Sequence, residues 1–284
     1  MEHQDARLLV ESEVVRVFDV TCWAPRSGYG AMEFNTIAQI GLPRRGVFVI
    51  ERQRQRVVID TNTALLLGPN DEYRVSHPTS DGDDGTVLVF APQLLEESLG
   101  GLGGRVAQLR PRHQLAASLV TGALADSGLD QLEAEEATLL LLAFLAPAFA
   151  DRAAGEGDPR LGPAQRLRIE QARTLLASSP AKRWDLTGLA QALGCSPFHL
   201  ARQFRAATGE TISRYVLRLR LALALERLAE GERDLAALAV DLGFSHHSHF
   251  SARFRTAFGI TPKDAREILT NRRLNELRAL AAVT

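Results

Sequence analysis

Two stretches of the chain decide its fold: Leu186–Gly209, LTGLAQALGCSPFHLARQFRAATG, and Leu235–Gly259, LAALAVDLGFSHHSHFSARFRTAFG. They are two copies of one device. The offset between them is 49 residues up to Ser245 and 50 beyond it, so the second copy carries one extra residue near the start of its second helix. In the first copy Leu186, Leu189, Ala190 and Leu193 fall on one helical face, Gly194 supplies the stop, and Ser196 with Pro197 forms an N-cap followed by proline at the first helical position. Leu200, Phe204 and Ala207 make the buried stripe of the next helix and leave Phe198, Ala201, Arg202 and Arg205 opposite. In the second copy Phe250, Phe254 and Phe258 are the stripe, and His247, Ser248, Ser251, Ala252 and Arg255 face outward. Helix, glycine turn and polar-faced helix make a helix-turn-helix, whose second helix fits a DNA major groove.

Working outward, Thr211 to Ala229 reads as an apolar-patterned helix of about twenty residues, capped by Thr211 and ended by Gly231. At 1.5 Å per residue it spans roughly 30 Å. One turn of DNA is about 34 Å, so this helix suits two recognition helices in successive major grooves. A last helix opens with Thr261, Pro262 and Asp264 and runs toward Leu280. Charge agrees with this division. Residues 1–159 hold 13 basic and 23 acidic side chains, and residues 160–284 hold 20 and 11, so a near-neutral total hides an acidic half joined to a basic one. Such asymmetry points to a polyanion partner for the basic half.

At these residues the chain resembles the AraC/XylS transcription regulators over residues 160 to about 269. The carriers are Leu189 through Gly194, Ser196, Leu200, Phe204 and Gly209, then Tyr215 and Arg220 in the connecting helix. They continue with Ala239, Gly243, Phe244, Ser245, Phe250, Phe254, Phe258, Gly259, Thr261 and Pro262. The family often has arginine where Ala252 stands and an aromatic residue where Ala265 stands, so the second recognition helix departs from the pattern. The resemblance implies double-stranded promoter DNA as partner, a small-molecule effector, a homodimer, and RNA polymerase where the regulator activates. By position, Phe198 would contact a thymine methyl, Arg202 would donate two hydrogen bonds to guanine, and His199, His247, Ser248 and Ser251 would meet base edges or phosphates. Arg205, Arg255 and Lys263 are better placed for the backbone. Any one of these is equally readable as a solvated side chain.

The first half reads differently. Short runs rich in Val, Ile, Leu and Phe, at residues 14–22, 34–40, 46–52, 56–59, 64–67, 73–77 and 86–91, are separated by Gly, Pro, Asn and Asp. Their spacing predicts an antiparallel barrel or sandwich. Two helices follow, at residues 112–126 and 132–149; the leucines of the second cover every face and need burial beneath the barrel or in a dimer seam. The expected fold class is therefore α+β, an N-terminal antiparallel β-barrel followed by an all-α unit of two helix-turn-helix motifs. The Gly- and Pro-rich stretch from Ala153 to Pro163 places the boundary between residues 158 and 159. The resemblance implies a cupin-like barrel that binds an effector or forms a dimer, with Cys22, Arg52, Tyr73 and His77 as candidates to line it.

Other chemistry finds little support. No Gly-rich phosphate loop and no nucleophile elbow is present. Two cysteines, Cys22 and Cys195, make no disulfide framework and read as small buried hydrophobes, and His246, His247 and His249 lack a Cys or Glu to complete a metal set. No cofactor or metal is expected. The start of the chain does not read as a secretory signal and the longest uncharged run is too short to cross a bilayer, so a cytoplasmic, non-enzymatic protein is expected. A cupin-type enzyme would account only for the β-unit, and a non-specific architectural DNA-binding protein only for the charge.

Overall fold

A computed structural model describes residues 4–52, 55–126, 128–150 and 161–271. Ten strands occupy the first part of it. They are β1 (Gln4–Glu11), β2 (Val15–Cys22), β3 (Glu33–Phe34), β4 (Gln39–Arg45), β5 (Val47–Arg52), β6 (Gln55–Asp60), β7 (Thr63–Leu67), β8 (Glu72–Ser76), β9 (Asp83–Phe90) and β10 (Arg105–Gln108). Alternating side chains send Val15, Val17, Ile40, Leu42, Ala64, Leu66, Leu88 and Phe90 into one core. The expected barrel is not closed. One sheet has the order β1-β2-β9-β4-β7-β10 and the other β3-β8-β5-β6. The chain leaves the first sheet for the second at Gly46, whose φ of +78° few other residues adopt, and a Cβ there would lie 2.4 Å from the Gly82 carbonyl oxygen.

The helices α1 (Pro92–Leu99), α2 (Pro111–Ala125) and α3 (Gln131–Ala150) cover the larger sheet. On α3, Leu141, Leu142, Phe144, Leu145 and Phe149 are buried in the β-unit's core, while Leu132 at its start is 73% exposed. Among the described residues no helix is long and apolar enough to cross a membrane. The expected boundary at 158/159 lies outside the described residues, as does the expected run of the last helix beyond residue 271.

The second half is helical: α4 (Pro163–Ser178), α5 (Leu186–Ala192), α6 (Pro197–Thr208), α7 (Ile212–Ala229), α8 (Leu235–Asp241), α9 (His247–Phe258) and α10 (Pro262–Thr270). Its two cores are built partly from the first half. Val47 and Val58 of the small sheet pack with Ile169, Leu176, Leu189, Leu200, Phe204 and Tyr215 around the first motif. Leu115 and Leu119 of α2 pack with Leu225, Leu238, Phe250, Phe254 and Leu269 around the second. Helix α2 thus serves two cores, since Ala116, Val120 and Leu124 on its other side face the β-unit.

Candidate nucleic-acid interface and interdomain contacts

Each motif is a short helix, a turn at a left-handed glycine and an exposed second helix. Asp185 caps α5 by accepting from the Gly188 N–H, and Gly194 (φ +63°) turns the chain into α6, which Ser196 caps by accepting from the His199 N–H. Asp234 caps α8 in the same way, and Gly243 (φ +77°) makes the equivalent turn. The extra residue of the second copy proves to be Ser245, because His246 is the cap. His246 takes the capping place that serine holds in the first motif, its Nδ1 accepting from the His249 N–H at 3.1 Å, while Ser245 stands one residue ahead and meets His249 Nδ1 at 3.2 Å.

On α6, Phe198, His199, Arg202 and Arg205 are exposed and Ala201 is half-buried, above a fully buried Leu200 and Phe204. Phe198 is 72% exposed, an apolar ring held in solvent at the helix start. On α9, His247, Ser248, Ala252 and Arg255 are exposed and Ser251 half-buried, above Phe250 and Phe254. Here the side chains are already engaged with one another. His247 Nε2 lies 3.2 Å from Ser251 Oγ, and Arg253 donates to His249 Nε2 at 3.3 Å. Every residue expected on the two outer faces is on its face.

Two arginines lock the motifs to their scaffold. Arg168 of α4 donates to the Leu193 carbonyl at 3.2 Å and to Gln203 at 3.3 Å, holding the first turn. Arg220 of α7 donates to the carbonyls of Pro180 (2.7 Å), Gly243 (2.8 Å) and Lys182 (2.9 Å), so the second turn is tied to the loop before the first motif. A Cβ on Gly243 would lie 2.2 Å from the Ala181 carbonyl oxygen. Burial, helped by the nearby Arg183, lowers the Arg220 pKa from its ordinary value.

The contact between the halves has a polar centre that sequence inspection missed. Asp60, fully buried at the end of β6, accepts from the Tyr215 hydroxyl and, at 3.3 Å, from Arg173, which also donates to the Val58 carbonyl at 2.9 Å. Burial first, and Asp60 second, push the Tyr215 phenol well above its ordinary pKa, so it stays protonated and donates. Arg44 reaches from β4 to Glu226 of α7 at 3.2 Å, and Arg45 pairs with Glu230. The residue separations, 113 between Asp60 and Arg173 and 155 between Asp60 and Tyr215, left no local signal.

The candidate effector residues fall in different places. Cys22 and His77 come together, with Sγ 3.5 Å from Nε2. Arg52 instead bridges Asp71 (3.2 Å) and the Gly104 carbonyl (2.7 Å), and Tyr73 lies opposite Glu33 across the β3–β8 pair, where burial and that carboxylate raise its pKa to about 12. A cavity of about 420 Å³ lies between the halves, bordered by Cys22, Asp83 and Arg45 on the β side and by Ala177, Leu219 and Leu223 on the helical side.

Comparison with known proteins agrees with this geometry. Residues 189–268 match the family model described as a helix-turn-helix domain. An AraC-like transcription regulator of Streptomyces antibioticus is 34% identical over 99 residues, 35% of this chain and 33% of that protein. The transcriptional activator RhaS of Pectobacterium atrosepticum is 28% identical over 211 residues, 74% of this chain and 64% of that one. The first curated relatives are thus matched over about a third of their own length. The regulatory protein SoxS of Salmonella typhimurium is 38% identical over 81 residues, 28% of this chain and 76% of SoxS. With both motifs, the connecting helix and three quarters of such a relative matched, the chain belongs to the AraC/XylS family of transcription regulators.

Proposed function

We propose that the protein is a sequence-specific DNA-binding transcription regulator that places α6 and α9 in adjacent major grooves of promoter DNA. The observation that carries this is the pair of equivalent motifs, each with its polar helix face in solvent, joined by a single eighteen-residue helix α7. That helix is about 27 Å long, close to one turn of DNA. Phe198 and Arg202 on α6 and His247, Ser248 and Ser251 on α9 read base edges, and Arg205, Arg255 and Lys263 hold phosphates. The division into a sensing part ending near residue 158 and a DNA-binding part from residue 159 belongs to the same reading, as do a cytoplasmic place, a homodimer on paired half-sites and, where it activates, contact with RNA polymerase.

A small-molecule effector fits the cavity between the halves, because its walls come from both and an occupant there touches the sheet and α7 together. The regulator reading is tested by selecting genome fragments with the full-length protein at physiological salt. An enriched motif of two blocks about ten base pairs apart is expected. Retention of bulk DNA without enrichment would instead leave a non-specific binder.

A further inference from the structure

We infer that Cys22, His77 and Asp83 form a binding site for a first-row divalent cation of the zinc type, on the wall of the cavity between the halves. Three different ligand types converge there although they are 55 and 61 residues from Cys22 in the chain, and their ligand atoms lie within 4.8 Å of one another. The pair distances fit coordination. Cys22 Sγ is 3.5 Å and Asp83 Oδ2 is 3.4 Å from His77 Nε2. Bonds of about 2.0–2.3 Å at a tetrahedral angle put neighbouring ligand atoms roughly 3.4–3.6 Å apart. Both contacts are made to the same ring nitrogen. A nucleophile–base–acid relay would use the two opposite nitrogens of the imidazole, so this arrangement points to one shared central atom.

Asp83 strengthens the case. Its Oδ2 is buried and accepts no hydrogen bond, which is costly for a carboxylate oxygen unless a cation meets it. Backbone architecture sets the ligands in place. Cys22 and Asp83 are directly opposite in the β2–β9 ladder, and His77 comes from the other sheet, one residue beyond β8. Two left-handed glycines close the site: a Cβ on Gly82 would lie 2.3 Å from the Cys22 carbonyl oxygen, and one on Gly46 2.7 Å from the Asp83 Cβ.

The chemistry balances simply. As the sulfur–metal bond forms, the Cys22 thiol gives its proton to solvent; His77 supplies the Nε2 lone pair and Asp83 one oxygen, so thiolate and carboxylate together neutralise a divalent ion. A thiolate, an imidazole and a carboxylate favour zinc over magnesium or calcium. Three protein ligands leave a fourth position. Cys22 and Asp83 border the cavity that Leu219 and Leu223 of α7 close from the other side, so a ligand in the fourth position would reach toward the helix that carries both motifs. The metal site stands on its own geometry; only this regulatory consequence rests on the DNA-binding reading.

The test uses the full-length chain after chelation, without DNA, titrated with cobalt(II) and then zinc(II). A sulfur-to-cobalt charge-transfer band saturating at one equivalent and lost on adding zinc is expected. The band reports thiolate ligation only, so cobalt held by His246, His247 and His249 does not contribute to it. Cys22→Ser should abolish the band, His77→Gln and Asp83→Asn should each weaken affinity at least about tenfold, and Cys195→Ser should leave it unchanged. Zinc should also raise the thermal midpoint of the parent more than that of Asp83→Asn, whose metal-free melt controls for folding. Absence of the band, its survival in Cys22→Ser, or undiminished affinity in both His77→Gln and Asp83→Asn would overturn the site. DNA selection is a separate assay, so either reading can fail alone.

Discussion

The two helix-turn-helix motifs share one backbone plan and differ in what stands behind them. The first rests on the small sheet, through Val47, Val58 and the buried Asp60–Arg173–Tyr215 cluster. The second rests on α2, through Leu115 and Leu119, and beside that contact Arg44 and Arg45 of β4 pair with Glu226 and Glu230 at the end of α7. A polar, fully buried dock tolerates few arrangements, whereas an apolar dock of leucines tolerates several. The first motif is therefore held in one registry against the β-unit, and the second has more freedom to shift on its dock.

The largest effect that would break this comparison is expected from Asp60→Ala. It leaves Arg173 and Tyr215 buried without their acceptor and should cost about 3–5 kcal/mol in denaturant unfolding. A loss below about 1 kcal/mol would show that the first dock is no more exacting than the second. Next come the turn glycines. Both Gly194 and Gly243 are left-handed, but a Cβ on Gly194 meets nothing within 4 Å, while one on Gly243 collides with the Ala181 backbone. Gly194→Ala should cost about 1 kcal/mol. Gly243→Ala should cost about 2–4 kcal/mol, because the loop before the first motif must move as well. Equal losses would refute the tie that Arg220 makes between the motifs.

The recognition faces set the next scale. Arg202→Ala on α6 should weaken binding to a selected DNA site by about 1–3 kcal/mol and relax preference at one base. On α9 the position where the family often has arginine is Ala252, and His247 is paired with Ser251, so His247→Ala should cost about 1 kcal/mol or less. A uniform loss over all sequences in Arg202→Ala would assign that arginine to phosphate.

What was legible in the sequence follows from where the information lies. The outward-facing residues of α6 and α9 were readable because helical periodicity alone decides which side of Phe204 or Phe254 is wet. Strands β2, β5, β6, β7, β8 and β9 were readable from their Val, Ile and Leu runs. Strand β1 was not: it is an edge strand whose residues are mostly exposed, and its charges suit an unpaired edge better than an apolar run would. The run expected over residues 34–40 is split into β3 and β4. The capping role of His246 was hidden because serine precedes it and serine is the commoner cap. Asp60 with Tyr215, and Asp83 with His77 and Cys22, were out of reach for a different reason. Each set is assembled by sheet register or by docking between halves, and no local pattern encodes either.

The two docks also separate by pH. His113 on α2 is buried, its Nδ1 accepting from the Arg110 N–H at 3.0 Å, and burial, with Arg112, Arg110 and Arg218 nearby, lowers its pKa to about 4 from 6.5. Above pH 6.5 both folded and unfolded chains hold it neutral. Between 6.5 and 4 only the unfolded chain takes the proton, so stability falls as pH falls, by up to about 3 kcal/mol over the whole window. Glu170 on α4, beside the first motif, runs the opposite way. Burial raises its pKa to about 7 from 4.5, against Arg56, Arg173 and Arg166, so it favours folding below pH 4.5 and that contribution is lost as pH rises through 7. Unfolding measured at pH 5 and pH 8 should therefore show the parent-minus-variant difference changing with opposite sign in His113→Gln and Glu170→Gln. Differences of the same sign would mean that the two docks do not titrate independently and that α2 and α4 respond as one unit.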